Sequence, residues 1–283
     1  MEPSRGVGAL PNFLIIGAQK SGTTTLRAAL DSHPQAMCAR EIHFFDEGYD
    51  RGLDWYREHF AGFRDRIAIG EKCPDYLPRP DAMTRIANDL PDAKLIVILR
   101  HPVDRAYSNY WHERRVGREA LTFAEALDAE PERAKSYPPG ANPFGYVERG
   151  MYLGQLMSVS EAFPRERLLV LLFDDLRSAR EEVFEQTCRF LGIDPAYRPE
   201  ILGERLNVYR TYRPLWLWEF MNKRHLWKRL PAPVAKKLWA AMERPTDYEP
   251  ISSAERRRLL EVYAPHNAAL AAWLGRDLSR WDE

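Results

Sequence analysis

A short loop near the start of the sequence carries residue types that bind phosphate or sulfate. The apolar run 12–16 predicts a buried strand, and a helical pattern begins after residue 24. Between them lie five residues that could contact an anion: Lys20, Ser21, Gly22, Thr23 and Thr24. Backbone N–H groups and the positive end of the helix dipole converge at such a strand–loop–helix turn. The loop therefore predicts an anion-binding site.

The position of the lysine indicates which kind of phosphate loop this is. Gly17 and Gly22 have the spacing of the nucleotidase loop, but Thr23 stands where that loop carries lysine. Lys20 comes two residues before the second glycine instead. This order resembles the 5′-phosphosulfate loop of sulfotransferases that use 3′-phosphoadenosine 5′-phosphosulfate (PAPS). The wording GAQKSGTTTL is most similar to the heparan sulfate N- and O-sulfotransferases and their bacterial relatives. An ordinary strand–turn–helix is the alternative.

A second polar stretch, E-I-H-F-F-D, follows a short strand predicted at 36–39. If the chain stays extended there, Glu41 and His43 project on the same side, toward the ligand crevice of a parallel sheet. The same sulfotransferases carry a similar stretch, followed by a G-x-x-W-Y segment like the one at 52–56. The resemblance implies that Glu41 is the catalytic base and His43 an auxiliary group. A surface carboxylate and a packed histidine are the alternatives.

A third motif, E-K-C-P-D-Y, follows a strand predicted at 67–70. It resembles the E-K-[ST]-P-x-Y turn of the family, in which the lysine lines the active site, and this implies the same place for Lys72. Cys73 departs from the pattern, because the family usually has a hydroxyl residue there. A local ion pair between Glu71 and Lys72 is the alternative.

The clearest strand, predicted at 94–100, ends on Arg100 and continues into a helix with Pro102 in its first turn. Ser108 lies about two helical turns further on, so an arginine fork and a hydroxyl could reach one phosphate. The stretch resembles the 3′-phosphate motif of the same enzymes, I-L-R-x-P-x-x-R-A-x-S. Arg100 and Ser108 are therefore expected to hold the 3′-phosphate.

The remaining pattern predicts helices and strands in alternation. Helices are expected at 81–90, 121–130, 150–163 and 178–191, a strand at 168–173, and a last helix from Ser252, whose capping box includes Glu255. Such alternation predicts an α/β fold with a central parallel sheet and helices on both faces, and the resemblance implies that this fold is P-loop-like. The chain is interpreted as a single sulfotransferase domain, 1–283.

Residues 205–250 resemble the family least and are predicted to form a variable helical insertion or lid. Between 205 and 244 lie ten Lys or Arg residues, two acidic residues and four of the eight tryptophans. The family has a basic loop before its last helix that covers the nucleotide, which implies a nucleotide contact for Arg244. The charge also allows contact with an anionic glycan or a membrane surface. Helices that pack their aromatic residues on the core are the alternative.

Bulk composition bears on the binding partners and the cellular location of the protein. The 41 basic residues balance the 41 acidic ones, which gives no support for nucleic-acid binding. The three cysteines form neither a C-x-x-C pattern nor an even disulfide set, and no signal peptide or 18-residue apolar run is present. The sequence therefore predicts a cytoplasmic protein without a transmembrane segment, unlike Golgi-anchored members of the resembled family.

These observations predict a PAPS-dependent sulfotransferase that leaves PAP as product and needs no metal. Glu41 would take a proton from a hydroxyl or amine of a glycan, lipid or small metabolite. Lys20 would stabilise the departing phosphate, with Lys72 and His43 as auxiliary groups. A P-loop kinase or NTPase is the alternative, although the sequence lacks G-K-[ST] and a strand-end aspartate for Mg²⁺. A non-catalytic nucleotide- or polyanion-binding protein is a third reading.

Overall fold

The core of the protein is a five-stranded parallel sheet. The computed structural model describes residues 8–63, 65–203, 210–212, 231, 234, 237, 238, 241, 243–245 and 248–283, with the backbone only for 210–212 and 243–245. The strands are β1 (Phe13–Gly17), β2 (Ala36–Arg40), β3 (Ala68–Lys72), β4 (Lys94–Leu99) and β5 (Leu168–Leu172). They are ordered β2-β3-β1-β4-β5, and every neighbouring pair is parallel. The predicted parallel sheet is confirmed.

Helices connect these strands. They are α1 (Thr23–Asp31), α2 (Gly52–Glu58), α3 (Pro80–Asp89), α4 (Pro102–Arg115), α5 (Phe123–Ala134), α6 (Tyr152–Ala162), α7 (Phe173–Ser178), α8 (Arg180–Leu191) and α9 (Ser253–Leu274). Two short strands, β6 (Arg210–Tyr212) and β7 (Glu243–Pro245), pair antiparallel. The predicted capping box of Ser252 and Glu255 begins α9, and Gly192, with a left-handed φ of 81°, ends α8.

The strands are apolar throughout because both faces of the sheet are covered. On β1, Leu14 and Ile16 pack into one core cluster, whereas Phe13 and Ile15 pack into another. Helices α3 and α6 contribute to the first cluster, and α1 and α8 contribute to the second. A strand buried on both sides needs a continuous apolar run rather than an alternating one. The predicted placement of helices on both faces is confirmed.

All five strands of this sheet point the same way, so their carboxyl ends meet at one edge. The loops that follow β1, β2, β3 and β4 therefore lie together at this edge, where open α/β sheets bind ligands. The strand ends carry, or are closely followed by, the predicted site residues Lys20, Glu41, Lys72 and Arg100. Sheet order decides which of them touch.

Candidate active site

The loop between β1 and α1 is bound to the sheet and turns sharply into the helix. The Ala18 N–H donates to the Ile98 carbonyl at 2.9 Å, which ties the loop to β4. Lys20 and Gly22 both have left-handed backbones, with φ 69° and 88°. Gly22 is the N-cap of α1, and the first turn of that helix contains no acidic residue. The N-terminal N–H groups of α1 are therefore placed as an anion site requires.

Lys20 lies in a positively charged environment. Burial first, and then the charges of Arg115, Arg100 and Lys72, lower the pKa of its ammonium to about 8, while the charge of Glu113 acts in the opposite direction. These positive charges repel one another, so an anion that binds among them lowers the electrostatic energy of the cluster. The donor set of this cluster is thus suited to phosphate or sulfate oxygens.

Arg100 contacts the loop directly. Its Nη1 donates to the Lys20 carbonyl at 3.0 Å, and its guanidinium lies 4.9 Å from the ring centre of Phe173. The Tyr152 hydroxyl donates to the Arg100 carbonyl at 2.9 Å, which fixes the end of β4. The structure therefore brings the Arg100 side chain to the loop that carries Lys20, whereas their predicted contacts with a nucleotide stay predictions.

Helix α4 adds two residues that sequence reasoning missed. Ser108, His112 and Arg115 are spaced four and three residues apart, so they share one face of α4. Burial lowers the pKa of His112 to about 3, and the charges of Lys20, Arg115 and Arg118 act in the same direction. His112 is therefore uncharged beside the cations. The helical spacing from Ser108 was the signal that could have identified both residues.

Glu41 and Lys72 form an ion pair at the carboxyl ends of β2 and β3. The Lys72 Nζ donates to Glu41 Oε1, and no residue that the structure describes bonds to Oε2. The Lys72 side chain is 6% exposed, whereas that of Glu41 is 43% exposed. A buried ammonium thus holds one oxygen of a partly exposed carboxylate.

Glu71 does not pair with Lys72, which removes the predicted alternative of a local ion pair. Its buried carboxylate accepts the Ile42 N–H at 2.6 Å and the His43 N–H at 3.2 Å, and hydroxyls of two tyrosines, Tyr56 and Tyr76. Burial raises the pKa of Glu71 to about 7 against the effect of these hydrogen bonds. Glu71 therefore anchors the segment that carries Glu41 and His43.

His43 has a left-handed backbone, with φ 58°, so the extended pattern used to predict a shared side with Glu41 does not continue through it. Its Nδ1 lies 2.9 Å from Asp46 Oδ2 and 3.5 Å from Cys73 Sγ. The hydrogen bond to Asp46 raises the pKa of His43 to about 9, so the ring is charged at neutral pH. Glu41 and His43 thus engage separate partners.

The remaining predicted nucleotide contacts are only partly described. Ser21 and Thr23 are buried in the loop and the first turn of α1, and Thr24 is half-buried. The backbone of Arg244 lies in β7, but its side chain is outside the described residues, as is most of the segment 205–250. The predicted contact of Arg244 and the predicted lid therefore stay predictions.

This edge of the sheet combines a carboxylate, a helix N-terminus and a cluster of cations, as transfer of an anionic group to an acceptor requires. A family model described as a sulfotransferase domain matches residues 10–212. The chain belongs to the sulfotransferase family. The predicted family is confirmed, and the kinase alternative is removed.

Similar proteins cover most of the chain. The human bifunctional heparan sulfate N-deacetylase/N-sulfotransferase 3 is 31% identical over 288 residues, which is 96% of this chain and 31% of that protein. The mouse heparan sulfate glucosamine 3-O-sulfotransferase 6 is 34% identical over 65% of this chain and 52% of its own length. The sulfotransferase thus spans about a third of the length of the first of these relatives.

A solved structure agrees with the fold. The crystal structure of a sulfotransferase from Alicyclobacillus acidocaldarius superposes with a TM-score of 0.75 at 29% identity, over 97% of this chain and 100% of that one. The similarity spans the whole sheet and its helices. The predicted PAPS-sulfotransferase architecture is therefore confirmed.

The predicted cytoplasmic location is wrong on this comparison. The membrane-associated sulfotransferase kil1 of Dictyostelium discoideum is 42% identical over 106 residues, 36% of this chain and 22% of that protein. Such relatives show that a sulfotransferase domain like this one occurs in membrane-associated proteins. Among the described residues, no helix is both long enough and apolar enough to cross a membrane.

Proposed function

We propose that this sulfotransferase moves a sulfuryl group from PAPS to a hydroxyl or amine of a carbohydrate acceptor, with Glu41 as the base. The observation that carries the proposal is the Glu41–Lys72 pair, which presents a carboxylate at the same sheet edge as the cations around Lys20. Proton removal from the acceptor and charge stabilisation at the donor are the two tasks of this reaction.

The cationic side of the site fits the donor. PAPS supplies an activated sulfuryl group when it is bound. Lys20 and the N-terminus of α1, from Ser21 to Thr24, would hold its 5′-phosphosulfate end. Arg100 and Ser108 would hold the 3′-phosphate, and His112 and Arg115 on the same helix face as Ser108 extend this set. The depressed pKa of Lys20, caused by burial and then by Arg115 and Arg100, supports an anion at this place.

Two carboxylates compete for the role of base, and their surroundings favour Glu41. Both Glu71 oxygens accept hydrogen bonds inside the protein, and its side chain is fully buried. Glu41 is exposed, and its Oε2 faces no described partner. Glu41 would take the acceptor proton, while Lys72 would hold its carboxylate in place and His43 would position the neighbouring loop.

A carbohydrate acceptor is proposed from the named activities of the relatives. Heparan sulfate sulfotransferases recur among them, including N- and 3-O-sulfotransferases. The acceptor group is a hydroxyl or an amine, since these relatives are named as O- and N-sulfotransferases.

The test is transfer of labelled sulfate from PAPS to N-desulfated and O-desulfated heparan chains, with PAP binding measured by calorimetry. Glu41→Gln removes the base and should lower kcat by roughly 10²–10⁴-fold. PAP affinity should stay unchanged, because Glu41 belongs to the acceptor side. Glu47→Gln is the matched control, since Glu47 is exposed on the same loop and should turn over normally.

Three outcomes would contradict the proposal. Normal turnover of Glu41→Gln, with loss of activity in Glu71→Gln, would assign the base to the other carboxylate. Equal wild-type affinity for PAP and ADP would remove the 3′-phosphate assignment to Arg100 and Ser108. Transfer to neither heparan chain, with transfer to a lipid or small metabolite, would exclude the carbohydrate acceptor.

A further inference from the structure

Three potential metal ligands converge beside the Glu41–Lys72 pair. His43 Nδ1, Asp46 Oδ2 and Cys73 Sγ all lie within 4.8 Å of one another. His43 and Asp46 come from the loop after β2, and Cys73 directly follows β3. The adjacency of β2 and β3 in the sheet brings them together.

The three atoms form a triangle of suitable size. The separations are 2.9 Å from His43 Nδ1 to Asp46 Oδ2, 3.5 Å from His43 Nδ1 to Cys73 Sγ, and 3.9 Å from Cys73 Sγ to Asp46 Oδ2. Bonds of about 2.0–2.3 Å to a tetrahedral zinc ion place ligand atoms about 3.3–3.6 Å apart. Shifts of a few tenths of an ångström would close the cluster around an ion.

The backbone holds these side chains in place. The Glu47 N–H donates to Asp46 Oδ1 at 2.8 Å, which leaves Oδ2 to face the cluster. The His43 carbonyl accepts N–H groups from Glu47 and Gly48, at 3.1 and 2.8 Å, and the Cys73 N–H donates to the Ile15 carbonyl at 3.0 Å. Side chains that such contacts already orient lose less conformational freedom when they bind a metal, and this favours metal affinity.

We propose that His43, Asp46 and Cys73 form a binding site for a zinc-class divalent ion. One nitrogen, one carboxylate oxygen and one sulfur favour zinc over magnesium or calcium, which take oxygen ligands. On binding, bonds to nitrogen, oxygen and sulfur form, and the protons on Nδ1 and Sγ leave to solvent. The His43 side chain is 31% exposed and that of Asp46 is 2% exposed, so solvent would reach a fourth ligand position from the side of His43.

This site differs from the expectation of a metal-free protein, and it does not rest on the proposed sulfuryl transfer. Cys73 stands where the resembled family usually carries a hydroxyl residue, so the sulfur ligand is a feature of this chain. An ion there would bridge the loop after β2 to the end of β3. It would thereby fix the segment that carries Glu41.

The test is cobalt(II) titration of the full chain after treatment with a chelator, followed by absorbance. Wild type should bind one ion with a thiolate-to-cobalt charge-transfer band, and added zinc should remove that band. Cys73→Ser should lose the band and bind at least about tenfold more weakly. Cys188→Ser is the matched control, because Cys188 is also a buried free cysteine but lies on α8.

A second variant and a second measurement keep the test decisive. Asp46→Asn should keep the band but weaken cobalt binding, because the thiolate ligand remains. Zinc should raise the melting temperature of wild type and of Cys188→Ser, but not of Cys73→Ser. Absence of a charge-transfer band in folded wild type, or a band that survives in Cys73→Ser, would overturn the proposal and leave only a hydrogen-bonded His–Asp pair beside a thiol.

Discussion

At the scale of single residues, Lys20 has the strongest electrostatic signature of the candidate site. Burial, followed by the charges of Arg115 and Arg100, lowers its pKa to about 8. The charged form of Lys20 is therefore disfavoured in the folded, unliganded protein. As pH falls from the unfolded pKa of 10.5 to about 8, the unfolded chain takes up the proton first and the free energy of unfolding decreases; the loss is complete below about 8. An anion bound beside the ammonium reverses this balance.

This linkage predicts a pH-dependent affinity for PAP. The bound nucleotide raises the pKa of Lys20, so the complex holds more protons than the free protein and affinity increases as pH falls through about 8. Above that value the dissociation constant should rise by up to about tenfold per pH unit. Phosphate titration, with a second pKa of about 6, is complete below this range.

Lys20→Arg is the control for this measurement, because arginine keeps its charge throughout the range. Calorimetry across the series should show a flat profile for this variant between neutral pH and pH values above the Lys20 transition. Parallel slopes in wild type and Lys20→Arg would assign the pH dependence to another group.

At the scale of elements, the loop after β2 is held by a side chain from β3. Glu71 accepts the N–H groups of Ile42 and His43, and the same loop carries Glu41. Such an anchor fixes where the proposed base lies relative to the loop between β1 and α1. The position of this loop thus depends on a buried carboxylate of the neighbouring strand.

Glu71→Ala should therefore lose both stability and turnover. The N–H groups of Ile42 and His43 and two tyrosine hydroxyls would lose their acceptor, which lowers the free energy of unfolding by roughly 2–5 kcal/mol. Displacement of Glu41 should lower kcat by about tenfold or more, even at temperatures where the variant is folded. Chemical denaturation and steady-state kinetics measure the two effects separately.

Glu130→Ala is the matched control. Glu130 is also buried, and it accepts the N–H groups of Val147 and Glu148 at 2.8 and 2.9 Å, away from the candidate site. It should lose comparable stability but keep kcat. Equal losses of kcat in both variants would show that turnover follows global stability rather than placement of this loop.

At the scale of the whole molecule, the carboxyl-terminal segment is part of the core although the family match ends at residue 212. Trp281 is 2% exposed, its Nε1 donates to Asp174 Oδ2 at 3.4 Å, and its ring lies near His101 and Tyr152. His101 is the N-cap of α4, the helix that carries Ser108. The end of the chain therefore supports the start of α4, the helix on which the proposed 3′-phosphate contact Ser108 lies.

Trp281→Ala should lower the free energy of unfolding by about 3–5 kcal/mol, the usual cost of truncating a buried tryptophan. Arg280→Ala, at an exposed neighbour, should change it by no more than about 0.5 kcal/mol. Denaturant unfolding of both variants checks this. Equal stability of the two would mean that the segment is not integral to the fold.

The sequence by itself determined the five strands of the sheet and most of the helices between them, although α2 and α7 had no predicted counterpart. Buried parallel strands require continuous apolar runs, and helix ends require residues such as Ser252 and Gly192. Short stretches of sequence therefore specify both features. The loop between β1 and α1 could be predicted equally well, because Lys20 and Gly22 lie only two positions apart in the chain. Family resemblance rests on such local motifs, which is why it too was available from the sequence.

The tertiary structure alone decided which side chains meet. Glu41 pairs with Lys72 because β2 lies beside β3, with Arg40 opposite Lys72 in the register. Neighbouring residues of a strand point to opposite faces, so Glu71 turns away and binds the loop instead. The cation cluster around Lys20 and the His43–Asp46–Cys73 group depend on the same sheet order. Contacts between residues about 30 or more positions apart are set by that order, which no local pattern encodes.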